Sequence, residues 1–494
     1  MKTENQHITT CLASTIWLWI MVVLVTALAD VLFYQQPSGW TSGAFLLLVG
    51  LLLIARPSPA SRRQAMAQAL LLLVAATGAV VYRGGLLAPI LSALALCAMA
   101  GVRAEANVRH AGAWAYAVLF TPIRMISALV RDYRLLLRRR AASRRAGASM
   151  ARATFAWAVP LTLGFVFLCL FCLANPMIER WVDRGLRAIA DFLAWIRLPD
   201  LSRVLFWLVV AAGLWGVWRI RSGRASQREL PPPQPPLALP PEGRPALALR
   251  CLGLFNVLFA LETATDLIYL WGWCALPSGM TYASYAHRGA YPLVVTALLS
   301  AGLALFFFQP GRRAERDPAA RVLVLLWLAQ NVLLTASAAW RLHLYVDVYT
   351  LTRLRVAAFV WMGLVGFGLL TIGWRIAQVR GTRWLLDVNA VALLVVLLGC
   401  AWWPMDGFIA RHNVQHCHEA GGPGRVLDLD YLQQLGPEAI PALRSYAQLN
   451  GKGNGAADRA ADVLAAELRQ ELRNPRAWTL RRGLLARMSR ADGG

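Results

Sequence analysis

The densest run of chemically capable side chains is Arg341, His343, Tyr345, Asp347, Tyr349, Thr352, Arg353 and Arg355. A guanidinium presents a planar, two-pronged set of donors that matches a phosphate or carboxylate, and Tyr adds a ring with a polar tip. Helical spacing stacks Arg341, Tyr345 and Thr352 on one face and Tyr349 with Arg353 on another, while Asp347 can neutralise one cation. Tyr282, Tyr285, His287, Arg288 and Tyr291 fall on the same side of the expected topology, making one joint aromatic and cationic patch. The chemistry expected there is recognition of an anionic solute or lipid head group. The plainer reading is an interfacial aromatic belt whose Arg residues bridge internally to Asp.

Glu262 and Asp266 lie i,i+4 within an apolar run, sharing a face with Tyr269, and Asn256 lies a little under two turns above Glu262. An ionisable group inside a span costs about 2.5 to 3.5 kcal/mol on insertion scales, so such groups carry either function or packing. As a pair of close like charges they could pass protons or hold a cation. Alternatively, each pairs with an Arg from a neighbouring helix. The run HNVQHCHE places His412 and His416 one helical turn apart, with Cys417 and His418 as additional weak metal-ligand candidates. It has no second ligand pair at fixed spacing, so the expectation is a polar His-rich link and no metal.

No phosphate-loop, nucleophile-elbow or HExxH pattern occurs, and the first outer loop lacks the paired acids expected of a polyprenyl-linked glycosyltransferase, for which Asp30 alone is a poor substitute. No cofactor is expected, and a non-enzymatic role leads. Its preferred form is binding or sensing of an anionic envelope solute or lipid head group. A proton-coupled transporter using Glu262 and Asp266 comes next, and an integral-membrane lipid-modifying transferase third.

The elements that position these residues are apolar helices. The chain has 494 residues, 58% of them hydrophobic and 15% charged, with a mean hydropathy of +0.49, too apolar for a soluble protein of this size. A net charge of +24 would suit nucleic acid in a soluble protein, but the Arg residues sit mostly at the ends of apolar runs, where membrane topology places them. Nucleic acid is therefore not an expected partner; membrane lipids are. Of the eight cysteines, Cys97, Cys169, Cys172 and Cys400 lie within apolar runs, and no disulfide framework is visible.

The expectation is an all-α integral membrane protein with about eleven transmembrane helices of near 20 residues each. They fall near residues 12–33, 43–55, 65–82, 85–101, 153–174, 202–220, 247–271, 290–309, 322–340, 356–374 and 385–403, the first being a retained span. Arg-bearing loops on one side set the amino terminus in the cytoplasm and the carboxyl terminus in the periplasm. Gly112 to Val130 contains Pro122 and Arg124 and precedes a basic cluster, so it is expected to lie in the membrane plane on the cytoplasmic side. Residues 177–197 have the spacing of an amphipathic interfacial helix, and Pro231 to Pro241 reads as an extended linker. The expected divisions are 1–152, an amino-terminal group with its basic segment; 153–229, a transmembrane pair; 230–246, the linker; 247–403, a second transmembrane group; and 404–494, a small soluble helical tail.

Four strings resemble a known family: TYASYAHRGAYPLVVTALL (Thr281 to Leu299), the run from Gln330 to Leu370, IARHN (Ile409 to Asn413) and LDLDYLQQLGPEAIPAL (Leu427 to Leu443). They are similar to the bacterial membrane-protein family called domain of unknown function 4173 and its relative numbered 4153. The resemblance covers roughly Arg250 to Leu443, with weaker similarity around Ala153 to Pro176. It implies a polytopic inner-membrane protein and assigns no activity, ligand or catalytic residue.

Overall fold

The computed structural model describes residues 2–37, 39–55, 62–104, 108, 110–143, 180–187, 200–219, 244–269, 296–306, 308, 317–422, 424–449 and 455–491. Within them every regular element is a helix. In chain order these are α1 (Lys2–Phe33), α2 (Trp40–Ile54), α3 (Arg63–Tyr82), α4 (Leu87–Ala104), α5 (Ala111–Ser143), α6 (Leu201–Arg219), α7 (Arg244–Tyr269), α8 (Pro318–Tyr349), α9 (Arg353–Ala377) and α10 (Thr382–Trp402). A set of shorter helices follows: α11 (Met405–His416), α12 (Leu429–Gln434), α13 (Ile440–Leu449), α14 (Gly455–Glu471) and α15 (Leu480–Ala491). Residues 180–187 and Thr296–Phe306 are further helical pieces.

Among the described residues six helices are long and apolar enough to cross a membrane: α3, Ala111–Arg134 of α5, α6, α8, α9 and α10. Shorter apolar helices are Leu18–Phe33, Trp40–Ile54, Leu87–Arg103 and Thr296–Phe306. Their outward residues are large and apolar: Leu71 and Val209 are each 71% exposed, a surface suited to hydrocarbon and costly in water. The expected span 153–174 and the linker 231–241 lie outside the described residues. Of the amphipathic stretch 177–197, residues 180–187 are described; they are helical, and Arg187 pairs with Asp183 as the spacing predicts. The segment around Pro122 is a continuous helix. Proline removes a single backbone donor, a loss that apolar surroundings tolerate when the remaining ladder is intact.

By contacts the chain divides into two units. In the first, Met1–Gln35 with Leu119–Arg221, α1 packs along α6. Asp30 accepts from Arg203 Nε at 2.9 Å and Nη2 at 2.5 Å, and from Trp207 Nε1 at 2.8 Å. Trp19 meets Trp215 with ring centroids 4.3 Å apart. At the Arg219 end of α6, Asp132 of α5 forms an ion pair with Arg219, 2.9 Å from its Nε, and accepts from Trp215 Nε1 at 3.1 Å.

In the second unit, Gln36–Val118 with Ser222–Gly494, α2, α3 and α4 pack together and α7, α8 and α9 form a second group. Side-chain amides join neighbouring helices, as expected where water is scarce. Asn256 Nδ2 donates to Leu323 O at 3.0 Å, and Asn389 Nδ2 to Thr371 Oγ1 at 2.9 Å. Arg side chains close the carboxyl ends of helices, where carbonyls lack partners and the helix dipole is negative. Arg103 donates to Leu53 O at 2.7 Å at the end of α2, and Arg62 reaches the carbonyl of Arg103 at the end of α4. α3 stops at Gly84 and Gly85, whose φ values of +79° and +86° suit glycine.

The segments after Trp403 pack into one apolar cluster in which Ile409, Leu432, Leu443, Leu464 and Leu468 meet Val346, Leu351 and Val356 of the α8–α9 junction. α13 and α14 are amphipathic helices whose buried faces supply much of that cluster. Gly39 fits against the turn at 475–478 only as glycine, since a Cβ there would stand 2.1 Å from Arg476 O.

Candidate anion-binding site

The α8–α9 junction is a tight corner. Tyr349 closes α8, Thr350 adopts φ +72°, and the Thr352 side chain caps α9 by accepting from Arg355 N at 3.4 Å. Asn413 of α11 braces the corner from below. Its Oδ1 accepts from Leu351 N at 2.7 Å and its Nδ2 donates to Leu351 O at 2.9 Å, with the amide only 2% exposed. This satisfies both backbone groups of the corner residue, as buried polar backbone requires.

Upon this corner four side chains form a ladder. Tyr345 and Tyr349, one turn apart, stack with centroids 4.6 Å apart and planes at 27°. The Arg355 guanidinium lies 4.6 Å from the Tyr345 ring, and the Arg425 guanidinium 4.3 Å from the Tyr349 ring. Each cation gains from the ring quadrupole while leaving its edge donors usable. Arg355 Nη1 donates to Tyr349 O at 2.7 Å and to the carbonyl of Thr350, which fixes its position at the end of α8. Arg425 is held by the fold of its loop: Gly424 N donates to His416 O at 3.1 Å, His418 N to Arg425 O at 3.2 Å, and Glu419 accepts from Leu427 N at 3.3 Å. Among the described residues neither Arg355 nor Arg425 forms an ion pair. Arg425 lies on no helix and far along the chain, so spacing arguments missed it.

The other expected members have different partners. Arg341 turns to α7, where it bonds Asp266 and lies 3.5 Å from Glu262 Oε1. Asp266 is fully buried and Arg341 is 3% exposed, so this is an interior charge pair. Arg353 Nε bonds Asp406 Oδ1 at 2.6 Å. Asp406 Oδ2 also receives Arg83 Nη2 at 2.7 Å, and Arg83 reaches Glu438 at 3.2 Å and Trp403 O at 2.7 Å. Two Arg and two acids thus alternate, and the Tyr431 hydroxyl accepts from Arg353 N at 3.1 Å. Asp347 lies 3.7 Å from His343 and not on an Arg. Tyr282, Tyr285, His287 and Arg288 lie outside the described residues.

His412 and His416 stack with centroids 4.1 Å apart and planes at 12°. Burial pushes the His412 imidazole below its ordinary range, and the His416 charge adds to the effect; Asp347 opposes it and His343 reinforces it. Cys417 is buried and its Sγ donates to Val414 O at 3.2 Å; burial pushes its thiol up. Among the described residues no three His, Cys, Asp or Glu side chains converge on a metal position.

Among the described residues every regular element is a helix, and the long apolar helices are compatible with an integral membrane protein. The chain belongs to the family described as Domain of unknown function (DUF4153), whose model matches residues 65–446. Of the two families expected from the strings this is the one numbered 4153, and the match begins well upstream of Arg250, within α3. No curated protein and no solved structure matches the chain. The ladder, the Asp266–Arg341 pair and the Arg83–Asp406–Arg353–Glu438 network all lie within the matched range.

Proposed function

We propose that the protein is a bacterial inner-membrane protein that binds an anionic envelope solute or lipid head group at Tyr345, Tyr349, Arg355 and Arg425. The observation that carries this reading is the pair of guanidinia, one over each ring of a stacked tyrosine pair, with no carboxylate on either among the described residues. Held cations with open donors favour an anion, and the rigid rings limit the entropy lost on binding. Arg341 and Arg353 act in packing, because each already has a carboxylate.

The rival roles draw less support. Proton-coupled transport through Glu262 and Asp266 would need an acid open to the transport path, and Asp266 is buried and engaged by Arg341. A transferase using Asp30 would need that carboxylate open, and it is occupied by Arg203 and Trp207.

The proposed topology keeps the amino terminus in the cytoplasm and the carboxyl terminus in the periplasm, with α5 in the membrane plane. Ala111 N at its start donates to Asp387 Oδ1 at 2.5 Å, close after the Arg380 and Arg383 loop.

Thermal unfolding of the detergent-purified protein tests the binding role. Inorganic phosphate and glycerol phosphate should raise the midpoint above that in chloride of equal ionic strength. No rise with any anion, at concentrations up to tens of millimolar, would reject the reading.

A further inference from the structure

A second site lies away from the ladder, along the outer side of α9 and α10. The two helices leave a groove of about 720 Å³ between them, lined by Val360, Gly363 and Phe367 on α9 and by Asp387, Val391 and Val395 on α10. That volume is in the range of built ligand pockets, about 300 to 1,000 Å³. Its walls are hydrocarbon except at one end, where Asp387 stands. From Asp387 to Val395 the groove runs eight residues, roughly 12 Å at 1.5 Å per residue, close to the depth of one leaflet of a ~30 Å hydrocarbon core. Both walls are candidate membrane spans.

The polar end carries both signs of charge. Asp387 is partly exposed; Ala111 N donates to its Oδ1 at 2.5 Å and His110 Nδ1 stands 3.4 Å from its Oδ2. Arg383 is exposed one turn before Asp387, on the same helix face, yet the two form no ion pair among the described residues. Arg380, in the loop before α10, is laid over the Trp384 ring at 4.9 Å. A carboxylate and a guanidinium displayed side by side, unpaired with each other, complement a head group that has an ammonium next to a phosphate. An apolar trough one leaflet deep complements the acyl chain beneath it.

We infer that the α9–α10 groove is a binding site for a zwitterionic, amine-headed phospholipid. The ammonium sits on Asp387, the phosphate on Arg383, and one acyl chain lies along Gly363, Phe367, Val391 and Val395. Gly363 keeps the trough open: a Cβ built there meets nothing within 4 Å, so a larger side chain enters the groove without striking protein. This site is independent of the anion reading, since it shares no residue with the ladder.

Native mass spectrometry of the full chain, released from detergent after exchange into mixed micelles of ethanolamine- and glycerol-headed phospholipids of matched chains, tests it. The parent should retain one phospholipid, the ethanolamine lipid several-fold over the glycerol lipid. Gly363→Leu should lose the retained lipid at least severalfold while keeping the parent's unfolding midpoint. Asp387→Asn keeps an acceptor for Ala111 N and so the local structure, but should bind both lipids equally. The inference is overturned if the parent retains no phospholipid, if Gly363→Leu retains as much as the parent, or if Asp387→Asn keeps the head-group preference. A dimer that forms through the groove and dissociates in Gly363→Leu would equally overturn it, because the occupant would then be a second copy. If Gly363→Leu fails to fold, Ala392→Leu fills the same trough from α10 and is read in the same way.

Discussion

Removing Asp266 should unfold the second helical group more than any comparable change on its surface. Asp266 is fully buried and Arg341 is 3% exposed, so Asp266→Ala removes the buried carboxylate that an interior guanidinium bonds. Breaking a buried pair from one side costs about 3 to 5 kcal/mol. Glu262, 3.5 Å from the same guanidinium, offers partial compensation, which places the expected loss near the lower end of that range. Glu262→Gln should cost only about 0 to 1 kcal/mol, because its carboxylate is 46% exposed and Asp266 remains. The double change Asp266→Leu with Arg341→Met removes both charges and should recover to within about 1 kcal/mol of the parent. Titration with SDS in mixed micelles, read by helicity, gives all four free energies. Asp266→Ala within 1 kcal/mol of the parent, or a double variant worse than the single, would refute the packing role. If Asp266→Asn and Glu262→Gln instead abolished a pH-dependent uptake into proteoliposomes without loss of stability, the acids would be proton carriers.

Three further outcomes follow from other parts of the chain. Arg83→Met leaves Asp406 and Glu438 each short of a partner, so limited proteolysis should cut among α11 to α15 faster than in the parent, whereas an unchanged pattern would show that the network holds nothing. Because the His412 imidazole is held below its ordinary 6.5 by burial, the folded state favours the neutral ring. Its contribution is complete above pH 6.5 and is lost as pH falls below that; His412→Gln should flatten the acid limb of midpoint against pH, and superimposable limbs would contradict this. A periplasm-active reporter should be active at the carboxyl terminus and silent within Pro231 to Pro241, with the opposite pattern overturning the proposed orientation.

Much of this architecture is legible in the sequence because apolarity and helical period are local properties. The runs that become α3, α6, α8, α9 and α10 announce themselves by length alone. The Tyr345, Tyr349 and Arg355 rungs are also legible, being within a few turns of one another. Asp266 was readable as a partner for an Arg on a neighbouring helix, but not which Arg, since Arg341 lies 75 positions away. Spacing suggested that Arg341 joins Tyr345 on one face; the guanidinium instead reaches across to the acid, where a buried charge has most to gain. Arg425 and Asn413 were invisible as site members. Their positions come from a folded-back loop and from α11 docking beneath the corner, long-range pairings that no periodicity encodes.

The most direct test of the account is the dissociation constant for glycerol phosphate, measured by titration calorimetry on the parent, Arg425→Gln and Arg353→Lys in the same detergent. A charge-assisted hydrogen bond is worth about 1.5 to 3 kcal/mol, so Arg425→Gln should weaken binding by about tenfold or more. Arg353→Lys should leave it unchanged, since that guanidinium is engaged by Asp406. Equal affinity for the parent and Arg425→Gln, or a loss confined to Arg353→Lys, would contradict binding at the tyrosine–arginine ladder.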